Sequence, residues 1–311
     1  PFQSNATNHL DALQQRWDEH AATAFRILTK SSGRSSSNTP LGTNVAGPRP
    51  DILLRQAVNC RNQSLSSEHS TLLSEVSRMS EPFGTFARVE MQITHGASVP
   101  EIPVFNVPRR KDPPFLDGKL SDSIWESADE IRLLDRSPSD LTSASAEPPL
   151  SSLVMLGSDE NHLFVAGVFH FPEQATRRIT LANHRTHDAD HEEKDRFELE
   201  IDTDRDYSTS FQFTIDESGL TSERCWMLNR WNPTWYVDVK RDENSWRFEA
   251  AIPLRELVNQ QPRLGTVWGI RLRRIQPGQH RHELMPDKGP ATNGTGLIRF
   301  IRPRVTTAAN R

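Results

Sequence analysis

Glu198, Glu200, Asp216 and Glu249 are the residues of this 311-residue chain most able to do chemistry together. All lie in short runs where polar and apolar residues alternate. Glycoside hydrolysis needs two such carboxyls. It also needs one of them raised in pKa by an apolar pocket, and nothing in the sequence sets one acid apart in that way. There is no Gly-x-Ser-x-Gly nucleophile turn and no glycine-rich loop opening a helix. With Arg271 and Arg273 nearby in pattern, the same carboxylates make a set of planar, bidentate groups suited to sugar hydroxyls or small polar ligands. A solvated sheet face laced with cross-strand ion pairs carries the same pattern. Either way the expectation is binding or scaffolding, without catalysis.

Other clusters have two readings each. Asp202-x-Asp204-x-Asp206 has the spacing of an oxygen-rich calcium turn, without the glycine and distal glutamate of an EF-hand loop. It serves equally as a hairpin connection. His184-x-x-His187-Asp188-Ala189-Asp190-His191 could ligate zinc or be a solvated loop. Trp231 and Trp235 flank Asn232-Pro233 in a stretch with no strand pattern. Such aromatics either stack on the C–H face of a sugar or plug the end of a sandwich. Cys60 and Cys225 allow one disulfide or two free thiols and exclude a disulfide framework or zinc ribbon.

Positioning these groups requires elements, and the chain supplies two textures. Lysine plus arginine is 37 and aspartate plus glutamate 41, a formal charge of −4, which disfavours general nucleic-acid binding. No stretch approaches the apolar length of a membrane-spanning helix. Hydrophobic residues are only 35% of the chain, so part of it should be linker or exposed helix. Leu10, Leu13, Trp17, Ala21, Ala24 and Leu28 give residues 7–29 a helical face. The Ser/Gly/Pro-rich segment 31–50 reads as a loose, disordered linker. Asp51–Cys60 and Ser66–Met79 read as short helices, and residues 82–95 fit helix or strand. A proline-rich joint runs from Pro100 to Pro114. The opening PFQSNATNHL reads as a fragment or a processed chain.

Beyond Pro114 the hydrophobic period becomes two. Runs at Leu153–Leu156, His162–Phe169, Asp195–Asp202, Thr209–Asp216, Glu223–Leu228, Trp235–Lys240, Ser245–Ile252, Thr266–Ile275 and Leu297–Ile301 are separated by turn residues such as Asp204-Arg205-Asp206 and Glu217-Ser218-Gly219. This is the pattern of an antiparallel sandwich or barrel. Because side chains alternate across a strand, Phe197, Leu199, Phe213, Ile215, Trp246, Phe248, Trp268 and Ile270 should face a core. Glu198, Glu200, Gln212, Thr214, Asp216, Arg271 and Arg273 should share the other side of their strands.

Several of these residues stand in a familiar order. Pro114-Phe115-Leu116-Asp117-Gly118-Lys119-Leu120 with Ile124-Trp125, then Ser158-Asp159-Glu160-Asn161-His162-Leu163-Phe164-Val165, then Asp195-Arg196-Phe197-Glu198-Leu199-Glu200-Ile201-Asp202, then Trp246 to Leu254, and last Gly265-Thr266-Val267-Trp268-Gly269 with Arg273-Arg274, resemble the landmarks of family 9 carbohydrate-binding modules. The resemblance covers about residues 105–303. It implies a mainly β fold, a two-sheet antiparallel β-sandwich preceded by the helical segment 1–95. It further implies a non-catalytic carbohydrate-binding role, in some members structural calcium, and attachment to other domains of a larger, exported bacterial protein concerned with glycan binding or breakdown. Glu198 matches the family carboxylate that bonds sugar hydroxyls, and Asp216 a polar position on the neighbouring strand. Glu198, Asp216 and Arg271, with Trp231 or Trp235 at the rim, are therefore the expected carbohydrate site, and Asp202, Asp204 and Asp206 the expected calcium ligands. The family's paired tryptophan clamp is absent: Glu192-Glu193-Lys194 stands where the first should be, and residues 286–296 hold no aromatic. Binding should then be weak and along a chain or branch. Haem held by Met155, Met227 or His170, as in redox relatives of this sandwich, and a purely structural or protein-contact module are the alternatives.

Overall fold

A computed structural model of the chain describes residues 49–96, 100–135, 152–171, 189–226, 228, 231–277, 281–283 and 294–303. The expected helix at 7–29, residues 31–48 of the expected linker, His184, His187 and Met227 lie outside them. The chain divides into two compact units, Pro1–Ala87 and Arg88–Arg311.

In the first unit α1 spans Pro50–Asn62 and α2 spans Ser66–Val76. Pro50 stands at the start of α1, where its missing N–H costs no hydrogen bond. Asp51 in the first turn and Arg61 in the last complement the helix dipole. Leu53, Leu54, Ala57 and Val58 of α1 are buried, as are Leu72, Leu73 and Val76 of α2. His69 Nδ1 lies 2.7 Å from the Ala57 carbonyl, tying the two helices together.

The ambiguous run at 82–95 is helix α3, Phe83–His95. Its Arg88–His95 part belongs to the second unit. There Val89 is buried with Ile102, Val267 and Leu297, and Ile93 packs beside them. A step of four along a helix brings Val89 and Ile93 to one face, which settles the period in favour of helix.

Among the described residues the second unit has twelve strands: β1 Val104–Pro108, β2 Ile131–Asp135, β3 Ser152–Ser158, β4 His162–His170, β5 Arg196–Asp202, β6 Phe211–Asp216, β7 Thr221–Cys225, β8 Tyr236–Arg241, β9 Ser245–Pro253, β10 Val267–Ile275, β11 Arg281–Glu283 and β12 Thr295–Ile301. A one-turn helix, α4, covers Ser123–Glu126. Hydrogen bonding runs β7-β6-β5-β10-β11-β2-β3-β4-β9-β8, with β12 also on β10 and β1 on β12. One leaf holds β7, β6, β5, β10, β12 and β1; the other holds β2, β3, β4, β9 and β8. The short β11–β2 pair joins them, so the leaves are two parts of one curled sheet.

Among the described strands every pairing is antiparallel except β1 with β12, and an isolated parallel bridge joins Arg109 to Ser158. That parallel pair departs from the wholly antiparallel expectation. These strands stand at opposite ends of the sandwich sequence, and strands not joined by a tight hairpin are free to run parallel. Between 150 and 275 the described residues contain no helix beyond the single 3-10 turn Leu254–Glu256.

The core lies between the leaves and follows strand parity. On one side stand Phe197, Leu199 and Ile201 of β5, Phe213 and Ile215 of β6, and Trp268, Ile270 and Leu272 of β10. They face Trp246, Phe248, Ala250 and Ile252 of β9 and Leu163, Val165 and Phe169 of β4. Phe169, Phe197, Trp246 and Phe248 form one aromatic cluster, with ring centroids 4.6–6.0 Å apart. Arg274 is 0% exposed at the end of this core. Its Nε and Nη2 reach both carboxylate oxygens of Asp195 at 3.0 and 2.6 Å. The fork geometry and the further bonds to Ser152 Oγ and the His170 carbonyl satisfy the buried charge.

Candidate functional site

The side of β5, β6, β7 and β10 that turns away from the core is a polar grid. One row across the strands reads Ser222, Thr214, Glu198, Arg273; the next reads Arg224, Gln212, Glu200, Arg271. Thr295 and Glu283 continue the rows on β12 and β11. Near the other end of β10 this side is apolar: Val267 and Leu297 lie buried with Val89 of α3.

Glu198 and Glu200 sit at the centre of the grid. Arg196 Nε donates to Glu198 Oε1 at 3.0 Å, and Arg273 Nη2 lies 3.0 Å from Glu198 Oε2. Arg273 Nη2 also donates to Glu200 Oε1, while Arg271 Nη1 donates to Glu200 Oε2 at 2.8 Å. Arg273 thus serves both carboxylates at once. Glu198 is 9% exposed, with an arginine paired to each of its oxygens. Glu200, Gln212, Arg271 and Arg273 remain half-buried.

Asp216 has the expected parity but is 0% exposed. Its Oδ1 accepts from the Ser218 N–H, the Ser218 hydroxyl and the Leu220 N–H at 2.6–3.0 Å. Its Oδ2 lies 3.1 Å from His191 Nδ1 and 3.7 Å from Lys194 Nζ. Burial works against its charge, but the bonds from His191, Ser218 and Leu220, with Lys194 beside it, hold the carboxyl below its ordinary pKa. Asp216 therefore touches no ligand directly; it orients His191.

His191 Nε2 in turn lies 3.1 Å from Ser222 Oγ. Since a carboxylate can only accept, Nδ1 carries a proton toward Asp216, which leaves Nε2 facing the Ser222 hydroxyl. This Ser222–His191–Asp216 chain has the connectivity of an acyl-transfer relay. A nucleophile also needs donors aimed at a developing oxyanion. Ser222 instead sits within β7, its backbone paired with Thr214. The relay fixes the direction of the Ser222 hydroxyl at the border of the grid. The separation of 31 positions from His191 to Ser222 hid this from the sequence.

Neither expected rim tryptophan borders the grid. Trp235 is 4% exposed and belongs to the core. Its ring packs against Phe213, and its indole N–H donates to Glu223. Trp231 packs on Phe211 and Phe213, with centroids 5.0 and 5.5 Å away. Both lie on the core side of β6, opposite Glu198. Outside a strand pattern, parity gives no means of assigning their side. Among the described residues, no strand position on the grid holds an aromatic.

The three aspartates do come together. One carboxylate oxygen each of Asp202, Asp204 and Asp206 lies within 4.8 Å of the others. Asp202 Oδ2 accepts the Tyr207 N–H at 2.8 Å, whereas its buried Oδ1 has no hydrogen-bond partner. Burial, then the neighbouring Asp206 and Asp204, push its carboxyl well above the ordinary range. An orphaned buried oxygen among crowded carboxylates fits a hard cation with oxygen ligands. Arg205 and Tyr207 in the same loop both have positive φ. Their side chains meet the fully buried Glu90 of α3: Arg205 Nε and Tyr207 Oη lie 2.8 and 2.9 Å from Glu90 Oε1.

For the haem alternative, Met155 is packed among Ile124, Trp125 and Phe164, and His170 is exposed at the end of β4.

No protein-family model and no curated protein matches the chain. Among solved structures it is similar to a family 9 carbohydrate-binding module. That module, from Caldicellulosiruptor kristjanssonii, was solved in complex with cellotriose; the match has 15% identity and a TM-score of 0.45 and covers 67% of this chain and 98% of that one. The module's complex with glucose matches at 16% identity and a TM-score of 0.44, covering 66% and 100%. A Bacteroides uniformis protein matches at 11% identity and a TM-score of 0.46, covering 64% and 99%.

Proposed function

We propose that this chain is a non-catalytic carbohydrate-binding module, attached to other domains of a larger, exported bacterial protein, and that the polar grid of β5, β6, β7 and β10 is its binding face. The observation that carries this reading is the grouping of Glu198, Glu200, Gln212, Arg271 and Arg273, five planar hydrogen-bonding side chains, on one face of adjacent strands. Their orientations are set by mutual ion pairs, so little ordering cost remains for a sugar to meet. Glu198 stands where the family landmarks resembled by the sequence put their sugar-bonding carboxylate. Without a stacking aromatic the face binds weakly, in the millimolar class, about −4 kcal/mol.

The loop Asp202–Asp206 would hold a structural calcium ion through its three carboxylates. The ion would supply no chemistry to the sugar; it would neutralise the crowded acids and brace the loop that reaches α3.

Retardation of the full chain in native gels cast with soluble polysaccharides tests the binding role. Binding should fall to background in Glu198→Gln. No retardation by any neutral or acidic polysaccharide overturns the reading.

A further inference from the structure

The charges on the grid do not cancel. Among the described residues, Arg196, Arg224, Arg271 and Arg273 stand against Glu198 and Glu200, while on the same side Asp216 is already met by Lys194 and Glu283 by Arg281. This positive excess sits on a chain whose formal net charge is −4. Three of the four arginines are engaged with the two glutamates. The fourth, Arg224, donates to the neutral amide oxygen of Gln212. A guanidinium that meets a neutral amide, exposed on a surface short of negative charge, suits an anionic acceptor.

The spacing says what kind. Arg224 and Arg271 occupy the ends of one row, three strand spacings apart, or about 14 Å. A single monosaccharide carboxylate cannot touch both, whereas a chain carrying carboxylates on successive sugars can. We infer that the ligand of this face is an acidic polysaccharide, a polyuronate, whose carboxylates engage Arg224 at one side and Arg271 and Arg273 at the other while its hydroxyls meet Glu200 and Gln212. This rests on the carbohydrate-binding reading and names its substrate class. It also explains how a face with no stacking aromatic holds a sugar chain: charge-assisted hydrogen bonds replace the stacking.

The experiment compares the full chain on polygalacturonate, on the same polymer fully methyl-esterified, on neutral xylan and on polyglutamate. Each is run at low and at physiological salt, because attraction between exposed charges weakens with ionic strength. The expected result is retardation by polygalacturonate that drops at least tenfold on esterification and weakens with salt. Arg224→Gln and Arg271→Gln should each lower the affinity roughly three- to tenfold with unchanged thermal midpoints. If the esterified polymer or xylan binds as well as polygalacturonate, the acidic-ligand inference is overturned and neutral sugar binding stands. If polyglutamate binds as well, the face is an unspecific ion exchanger and the inference is equally overturned. If nothing binds, both readings fall.

Discussion

The two leaves of the sandwich treat their outward faces differently, although the sequence writes both in the same alternating code. On the leaf of β4 and β9, outward Glu249 is fully buried. Its Oε2 accepts the N–H groups of Asp117 and Gly118 at 3.0 and 2.7 Å, and its Oε1 accepts the Trp125 indole N–H at 2.8 Å. Ile124, Trp125, Met155, Phe164, Ala166 and Ala251 make a second apolar cluster over that leaf. Gly118 has φ +67°, and a Cβ there would stand 3.0 Å from Lys240, so the turn Glu249 caps depends on glycine. On the other leaf, among the described residues, outward Glu198 and Glu200 pair with arginines of their own and adjacent strands. Two glutamates of equal parity thus do opposite work: one fastens a cover to the sheet, the other joins a network of ion pairs on the face proposed to bind a ligand.

The largest expected effect breaks the covered face. Glu249→Ala leaves three donors without an acceptor, two of them in buried bonds, and should cost about 3–5 kcal/mol of unfolding free energy in a denaturant titration. A loss below about 1 kcal/mol would mean that the cover holds without its glutamate and that the two faces are not so different.

Next comes the cation loop. If the aspartates hold calcium, an excess about a hundredfold over the dissociation constant adds about 2.7 kcal/mol to stability. Asp202→Asn should abolish that gain and leave the calcium-free protein no less stable, since it removes a crowded buried charge. An unchanged melting curve on adding millimolar calcium to the chelated protein would remove the ion from the account.

These contrasts explain what could be read beforehand. The strands and the core were legible because period two and the phenylalanines and tryptophans of β5, β6, β9 and β10 fix parity unambiguously. Two of the residues in the runs that resemble family landmarks are architectural in this chain. Asp195 is bound to Arg274 in the core, and Glu249 joins the Trp246 run to the Asp117-Gly118 turn. Parity placed Glu198 and Asp216 on one face, but it carries no information on depth, so the burial of Asp216 beneath His191 was invisible. Strands β1 and β2 escaped notice because β1 lies within the proline-rich joint and β2 spans only five residues. The three residues of β11 are too short for any period. Trp231 and Trp235 lie outside any strand pattern, where no period says which side they take.

A smaller effect concerns the border of the open face. The Asp216 carboxyl is held below its ordinary pKa in the folded chain, so its contribution is complete above the unfolded value of about 3.9. That contribution is lost as the pH falls through the lower, folded value. Stability measured from about pH 6 downward should therefore decline more steeply below about pH 4 in the wild type than in Asp216→Asn. Parallel acid limbs would show that His191 and Ser222 are not held through this carboxylate.

The smallest expected stability change sharpens the comparison most. Glu198→Gln keeps the shape of the side chain and an oxygen for Arg196 or Arg273, and it removes one charge from a surface already rich in guanidinium groups. Partly exposed ion pairs of this kind contribute about 0–1 kcal/mol, so the unfolding free energy should move by no more than that, in contrast to Glu249→Ala. Carbohydrate retardation should nevertheless be lost, because the amide puts an N–H group where a carboxylate oxygen met Arg196 or Arg273 and so disturbs the arginine that faces the ligand. Retained binding would move the site away from the centre of the grid. A loss of several kcal/mol in Glu198→Gln would show that the open leaf, like the covered one, uses its outward glutamate to hold the fold.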